Sequence, residues 1–305
     1  MLHAAEKFDV SHCHGCGLCA LVCPVYQRGD NVMQTPHGLA KASQWSGELK
    51  REDAFACILC GACAPLCPQG IDLMQMLVAM RSSFSQRQLL EVLPENPAGQ
   101  KGEVVFIADR QLTNDQEQQE KVMHQLEGCH VVLSSDQAGD ISEAIRSGQV
   151  VSFERLHQFL TSLQAVKKII ISDGLLQQLI KSKLPQIPMQ SLGELLSSRG
   201  KFRQQMKADD FYIMDSQTYH ADYDSAVNHY DQLQQETDCQ LSHDLHRLAM
   251  PTGAEAINGF NQKAQIGWLL HGRKVNRIIA ESIADYHLLK THCEQPVLHI
   301  SELLS

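Results

Sequence analysis

Aromatic side chains are scarce: Phe, Trp and Tyr make up 6% of the 305 residues, so aliphatic groups and methionine must fill most of any core. No apolar run approaches the roughly 20 residues that a membrane-spanning helix needs, and mean hydropathy is -0.23. The opening MLHAAEKFDV has neither a basic n-region nor an apolar h-region, so no secretory signal is expected. There is no basic run, and the net charge is -9, so nucleic acid is not expected as a partner. No glycine-rich dinucleotide fingerprint and no P-loop is present, and no Ser–His–Asp arrangement can be argued from spacing. With 43% hydrophobic and 20% charged residues, a disordered or collagen-like chain is also excluded. The expected location is cytoplasmic, or peripheral to the inner face of a membrane through a partner.

Cysteine is what the chain has in excess. Of eleven cysteines, eight lie between Cys13 and Cys67, and only Cys129, Cys239 and Cys293 occupy the rest. A reducing compartment does not favour structural disulfides, so this density points to metal or redox chemistry. The first motif is Cys13-His-Gly-Cys16-Gly-Leu-Cys19-Ala-Leu-Val-Cys23-Pro24, and the second is Cys57-Ile-Leu-Cys60-Gly-Ala-Cys63-Ala-Pro-Leu-Cys67-Pro68. Both read C-x2-C-x2-C-x3-C-P, the run of bacterial [4Fe–4S] sites, in which the fourth cysteine ligates the other cluster. Two clusters are therefore expected, one on Cys13, Cys16, Cys19 and Cys67, the other on Cys57, Cys60, Cys63 and Cys23. Gly15, Gly17 and Gly61 should let the backbone approach the sulfides and present N–H donors. The competing reading is a pair of zinc sites with four cysteines each, but zinc has no use for a third cysteine at the same step.

The motifs lie in residues 1–90, followed by a linker at 91–101 that holds Pro94, Asn96, Pro97 and Gly99. Helices are expected within 38–45 and from Ile71 to Phe84. Strands are expected at Val104-Val105-Phe106-Ile107-Ala108, 130–133, 167–171, 211–214, 277–280 and 297–299. Between them helices are expected through about Glu127 and at 138–147, 152–164, 222–236, 254–271 and 281–291. Strands alternating with helices imply parallel sheets, arranged as two similar α/β modules, 102–205 and 206–305.

The 33 residues between Cys23 and Cys57, with Thr35-Pro36-His37-Gly38-Leu39-Ala40 inside them, resemble the α-helical ferredoxin of respiratory iron–sulfur subunits; His37 stands where that family has Arg. The whole layout resembles the glycolate oxidase iron–sulfur subunit, the C subunit of anaerobic glycerol-3-phosphate dehydrogenase and the cluster-bearing subunits of heterodisulfide reductase. That resemblance implies an α+β multidomain protein: an N-terminal α-helical ferredoxin, then two α/β modules of the cysteine-rich type marked by Cys-Cys-Gly. The chain departs from it where the family's cysteines would fall, reading instead Ser134-Ser135-Asp136, Ser172-Asp173-Gly174, Asp215-Ser216-Gln217, 248–253 and Ala280-Glu281-Ser282. The modules are therefore expected to be degenerate, with no cluster of their own.

Several other residues carry two readings. Convergence of Cys129, Cys239 and Cys293 on a new site is less favoured than three isolated small hydrophobes. His243 and His246, near Cys239 and Asp244, read either as a metal pair on one helical face or as a solvated polar stretch, with the latter favoured. His12 and His14 flank the first ligand, either tuning a cluster or simply exposed. Met74, Met76 and Met80 make either a partner surface or packing, with packing favoured.

The expected function is a non-catalytic electron-transfer subunit of an oxidoreductase complex. It would relay single electrons between a partner flavoprotein dehydrogenase, or heterodisulfide-reductase-like subunits, and a quinone or other redox subunit. The alternatives are a catalytic disulfide or quinone reductase subunit, and a cluster-bearing redox sensor or scaffold.

Overall fold

The computed structural model describes residues 9–45, 47–85, 89–90, 103–257 and 259–304. The expected linker at 91–101 lies outside them.

The first part is built of short helices. Leu18–Leu21, Pro24–Gly29, Pro36–Gln44, Arg51–Ala56 and Leu73–Ser82 are joined by tight turns and by short 3-10 helices at Val32–Gln34 and Ala64–Leu66. Pro24 and Pro36 open their helices at the first position, where a missing N–H costs nothing. Thr35 caps the third helix by accepting from Gly38 N at 3.1 Å. Gly38 has to be glycine, because a Cβ there would lie 2.1 Å from the Val32 carbonyl oxygen.

Beyond it stand two parallel four-stranded sheets. The first runs Val131–Leu133, Val104–Ile107, Lys168–Ile171, Met189–Ser191 across the sheet; the second runs Gln240–Leu241, Asp210–Ile213, Arg277–Ala280, Val297–His299. In chain order both are second, first, third, fourth, so the two modules repeat one topology. The central strands Val104–Ile107, Lys168–Ile171, Asp210–Ile213 and Arg277–Ala280 are buried on both faces, as the middle of a parallel sheet requires, whereas Val132 on the edge strand is 42% exposed. Val105 and Ile107 join the core that holds Met74, Met76, Leu77 and Met80 of helix Leu73–Ser82. Phe106 and Ile170 face the other way, into a core shared with Tyr212 and Ile279 of the second sheet. That period of two gives the first sheet one face toward the helical part and one toward the second module. The three methionines are thus packing rather than a free surface, with exposures of 3%, 1% and 0%.

One expectation fails, and one of the less favoured alternatives falls away. The helix expected over 254–271 begins only at Gln262 and ends at Leu270. Asn261 caps it by accepting from Ala264 N, and ahead of it Gly253 at φ 88° lets the Phe260 ring lie where a Cβ would be, at 2.3 Å. His243 and His246 do not share a helical face. The Asp244 carboxylate accepts from the backbone N–H of both His246 and Leu248, folding the segment into a turn. The sequence reading also missed the short strands at Leu89–Leu90, Val150–Val151, Met189–Ser191 and Gln240–Leu241, and the helices at Gly174–Lys183 and Ser216–Ala221.

Candidate iron–sulfur site

The eight motif cysteines gather around two hollows. Cys13, Cys16, Cys19 and Cys67 line one, with His14, Pro36, His37 and Ala40. Cys23, Cys57, Cys60 and Cys63 line the other, with Val25, Ile58, Met74 and Leu77. Each hollow takes three cysteines from one motif and the last from the other.

The backbone repeats as well. Gly17 and Gly61, at the same place in the two motifs, have φ 78° and 81°. Where the first motif has Gly15 at φ 81°, the second has Leu59 at φ 53°, a conformation side chains rarely adopt. Leu59 is held there from three sides. Its side chain is 1% exposed, its N–H points at Cys57 Sγ at 3.4 Å, and its carbonyl accepts from Gln217 Nε2 at 3.2 Å.

The hollows differ in depth. Cys16 is exposed and Cys13, Cys19 and Cys67 are half-buried, whereas Cys23, Cys57, Cys60 and Cys63 are all buried. Next to the outer hollow, Leu18 and Leu21 are 42% and 64% exposed. The outer loop is tied down by helix Pro36–Gln44: Lys41 Nζ donates to the Cys13 carbonyl at 3.1 Å, and Gln44 Nε2 to the same carbonyl at 2.8 Å and to that of Val10 at 2.6 Å. The inner loop is tied down from two directions. Arg81, fully buried, donates to the carbonyls of Cys57 and Ala54 and stacks on Phe55. From the second module, helix Ser216–Ala221 supplies Gln217 to Leu59 and His220 Nδ1 to the Cys60 carbonyl at 2.8 Å. Gln217 belongs to the segment where the resembled family would carry a cysteine; here it braces the cysteine loop.

Electrostatics trace the same grouping. Burial pushes the Cys19 thiol up to about 11, helped by Cys13, Cys16 and Cys67. Burial and then Cys57 push Cys23 up to about 12. Burial raises Cys57, Cys60 and Cys63 as well, and Cys63 is raised further by Cys60, Cys57 and Cys23. Four buried thiolates together are unfavourable unless a strong positive charge lies among them, which a metal centre supplies.

The donor set fits a cluster better than a single ion. Among the described residues no three His, Cys, Asp or Glu side chains converge closely enough to hold one metal ion. A zinc site made of cysteines needs four sulfurs about 2.3 Å from one point, whereas thiolates at the corners of a cube stand further apart around a hollow. His37 Nδ1, beside the outer hollow, is buried with no hydrogen-bond partner among the described residues. A sulfide there would give it one.

The remaining candidates do not assemble. Cys129 is exposed and touches Arg199 at 3.3 Å, Cys239 sits in the core shared by the two sheets, and Cys293 packs on the far face of the second sheet. His12 lies 4.0 Å from Asp9 in the open, while His14 borders the outer hollow. At the carboxyl ends of the strands, Asp109, Asp173 and Asp215 cap the helices that follow. The crevice there, between Cys60, Asp215, Thr252, Glu255 and Asp285, has room for about one water. Sequence reasoning missed Arg81, Gln44, Gln217 and His220: each is a lone polar residue whose role exists only once distant elements meet.

Among the described residues no helix is long and apolar enough to cross a membrane. Neither the curated proteins nor the solved structures hold a significant match to this chain. Residues 9–71 match the family described as 4Fe-4S dicluster domain, which spans all eight motif cysteines, supports an electron-transfer role and marks the chain as an iron–sulfur protein.

Proposed function

We propose that the chain is an electron-transfer subunit holding two [4Fe–4S] clusters, one on Cys13, Cys16, Cys19 and Cys67, the other on Cys23, Cys57, Cys60 and Cys63. The observation that carries this reading is the pair of hollows, each closed by a cysteine from the opposite motif. A [4Fe–4S] cluster takes up and releases one electron at a time. The chain's own residues set what surrounds it. Cys16, Leu18 and Leu21 offer an exposed, partly apolar contact for a redox partner at the outer hollow. Arg81, Leu59, Gln217 and His220 hold the inner loop rigid and dry, which keeps reorganisation small.

The partner is a flavoprotein dehydrogenase or heterodisulfide-reductase-like subunit, and electrons pass on to a quinone or another redox subunit. On this reading the two sheet modules are degenerate cysteine-rich modules whose work is to brace the inner cluster loop. Anaerobic purification with iron and acid-labile sulfide analysis tests the proposal. The expected result is a brown protein with about eight irons per chain; zinc, or about four irons, overturns it. Reduction by a partner dehydrogenase followed by reoxidation separates a relay from a sensor or scaffold.

A further inference from the structure

A cavity of about 490 Å³ opens between the helical part and the second module. Its walls come from helix Pro24–Gly29, helix Arg51–Ala56 and the loop at 259–261. Its size falls within the range of small-molecule sites.

Two arginines face into it, Arg28 and Arg51. Six of the chain's twelve arginines pair with carboxylates: Arg110, Arg146, Arg155, Arg203, Arg247 and Arg277. Arg28 instead stacks on Trp268, 4.6 Å from the ring centroid, with Nε on Gln265 Oε1 at 2.9 Å. Arg51 stacks on Phe55 at 4.3 Å. Among the described residues neither is in an ion pair. Burial without an anion holds Arg28 below the usual arginine range. Stacking fixes the plane of each guanidinium, and among the described residues its terminal N–H groups make no hydrogen bond, an arrangement suited to a carboxylate or phosphate. The rest of the wall is mixed: Val25, Ala56 and Phe260 are apolar, Gln34 and Asn261 are polar, and Glu52 is the one carboxylate among the lining residues. Val25 also lines the inner cysteine hollow, so one side chain separates the two spaces.

We propose that this cavity binds a small organic anion, its carboxylate or phosphate on Arg28 and Arg51 and its apolar body against Val25 and Phe260. The site is distinct from the cysteine hollows, and it stands whether or not the relay reading holds.

The test is calorimetric titration of the full-length, cluster-loaded protein with succinate, benzoate, inorganic phosphate and phenyl phosphate. The carboxylates and phosphates distinguish which anion is preferred, and benzoate and phenyl phosphate report the apolar wall. At least one should bind, more tightly with an apolar body, and at least tenfold more weakly in both Arg28→Gln and Arg51→Gln. Arg51 is exposed, so its replacement leaves the packing intact even if Arg28→Gln disturbs the contact with Trp268. Arg110→Gln, far from the cavity, should bind as the parent does. Failure of all four probes to bind, or binding that survives in Arg51→Gln, overturns the inference. Iron content is measured on the same samples, so loss of clusters is read separately from loss of anion binding.

Discussion

Gly17 and Gly61 hold the same position in two copies of one motif, yet their surroundings differ. A Cβ at Gly17 would meet nothing within 4 Å, whereas at Gly61 it would lie 2.7 Å from His220 Cβ. Gly17→Ala therefore carries only the strain of a left-handed residue, about 1–2 kcal/mol, and should keep full iron content. Gly61→Ala must also push helix Ser216–Ala221 away, and should lose close to half of the iron per chain. Equal iron in the two variants would contradict the packing described at His220. Arg81→Met should be among the most damaging single changes. It strips the buried carbonyls of Cys57 and Ala54 of their donor, at about 1–3 kcal/mol for each group left unpaired. Thermal unfolding checks this; a loss under about 1 kcal/mol, the floor of that range, would contradict it. At this scale the cysteines were legible in the sequence because their spacing repeats. Arg81 and His220 were not, because nothing local marks an arginine or histidine that will meet a loop far along the chain.

Elements carry the bracing. The helix Ser216–Ala221 was not foreseen, since its six residues, SQTYHA, give no apolar period to read. Only Asp215, which accepts from Thr218 N at 2.7 Å, hints at a helix start. Strong periodicity did reveal most of the longer helices, though not Gly174–Lys183, and the buried strands, such as Val104–Ile107 and Lys168–Ile171. The two-residue strand Gln240–Leu241 exists only by pairing with Phe211 and Tyr212, which no local pattern encodes. If this helix braces the inner loop, Gln217→Ala should remove about 1 kcal/mol and hasten loss of the inner cluster in air. The outer cluster, held by Lys41 and Gln44, should decay as before. Following both signals by paramagnetic resonance checks this, and unchanged decay of both would contradict it.

The whole molecule carries buried acid. Burial pushes Glu281 up to about 8, although Tyr212 and Tyr230 donate to it. Burial and neighbouring carboxylates push Asp215 and Glu255 up to about 7, the latter despite Arg146 at 2.7 Å, and burial pushes Asp285 up to about 6. These groups hold protons in the folded chain that the unfolded chain has already released, so their contribution fades as pH rises toward their folded values. His220, His229 and His299 are held down to about 4 by burial, against an ordinary 6.5. Below that ordinary value they oppose the acids, because the unfolded chain binds the extra protons. Above it only the acids act, so stability should fall between pH 6.5 and about 8. Glu281→Gln should flatten the fall above about pH 7, measured by thermal unfolding; a stability that rises over this window would contradict the account.

The two modules repeat one strand order although their sequences share too little to prove a repeat, because topology depends on where apolar runs fall rather than on which residues fill them. The central claim remains the crossing of the last cysteine between motifs, and Cys67→Ser tests it most directly. Anaerobically prepared protein, examined by paramagnetic resonance after reduction, should lose the cluster that Cys13→Ser and Cys16→Ser also lose, and keep the one that Cys57→Ser destroys. If Cys67→Ser instead removes the same signal as Cys57→Ser, each motif serves its own cluster and the account is wrong.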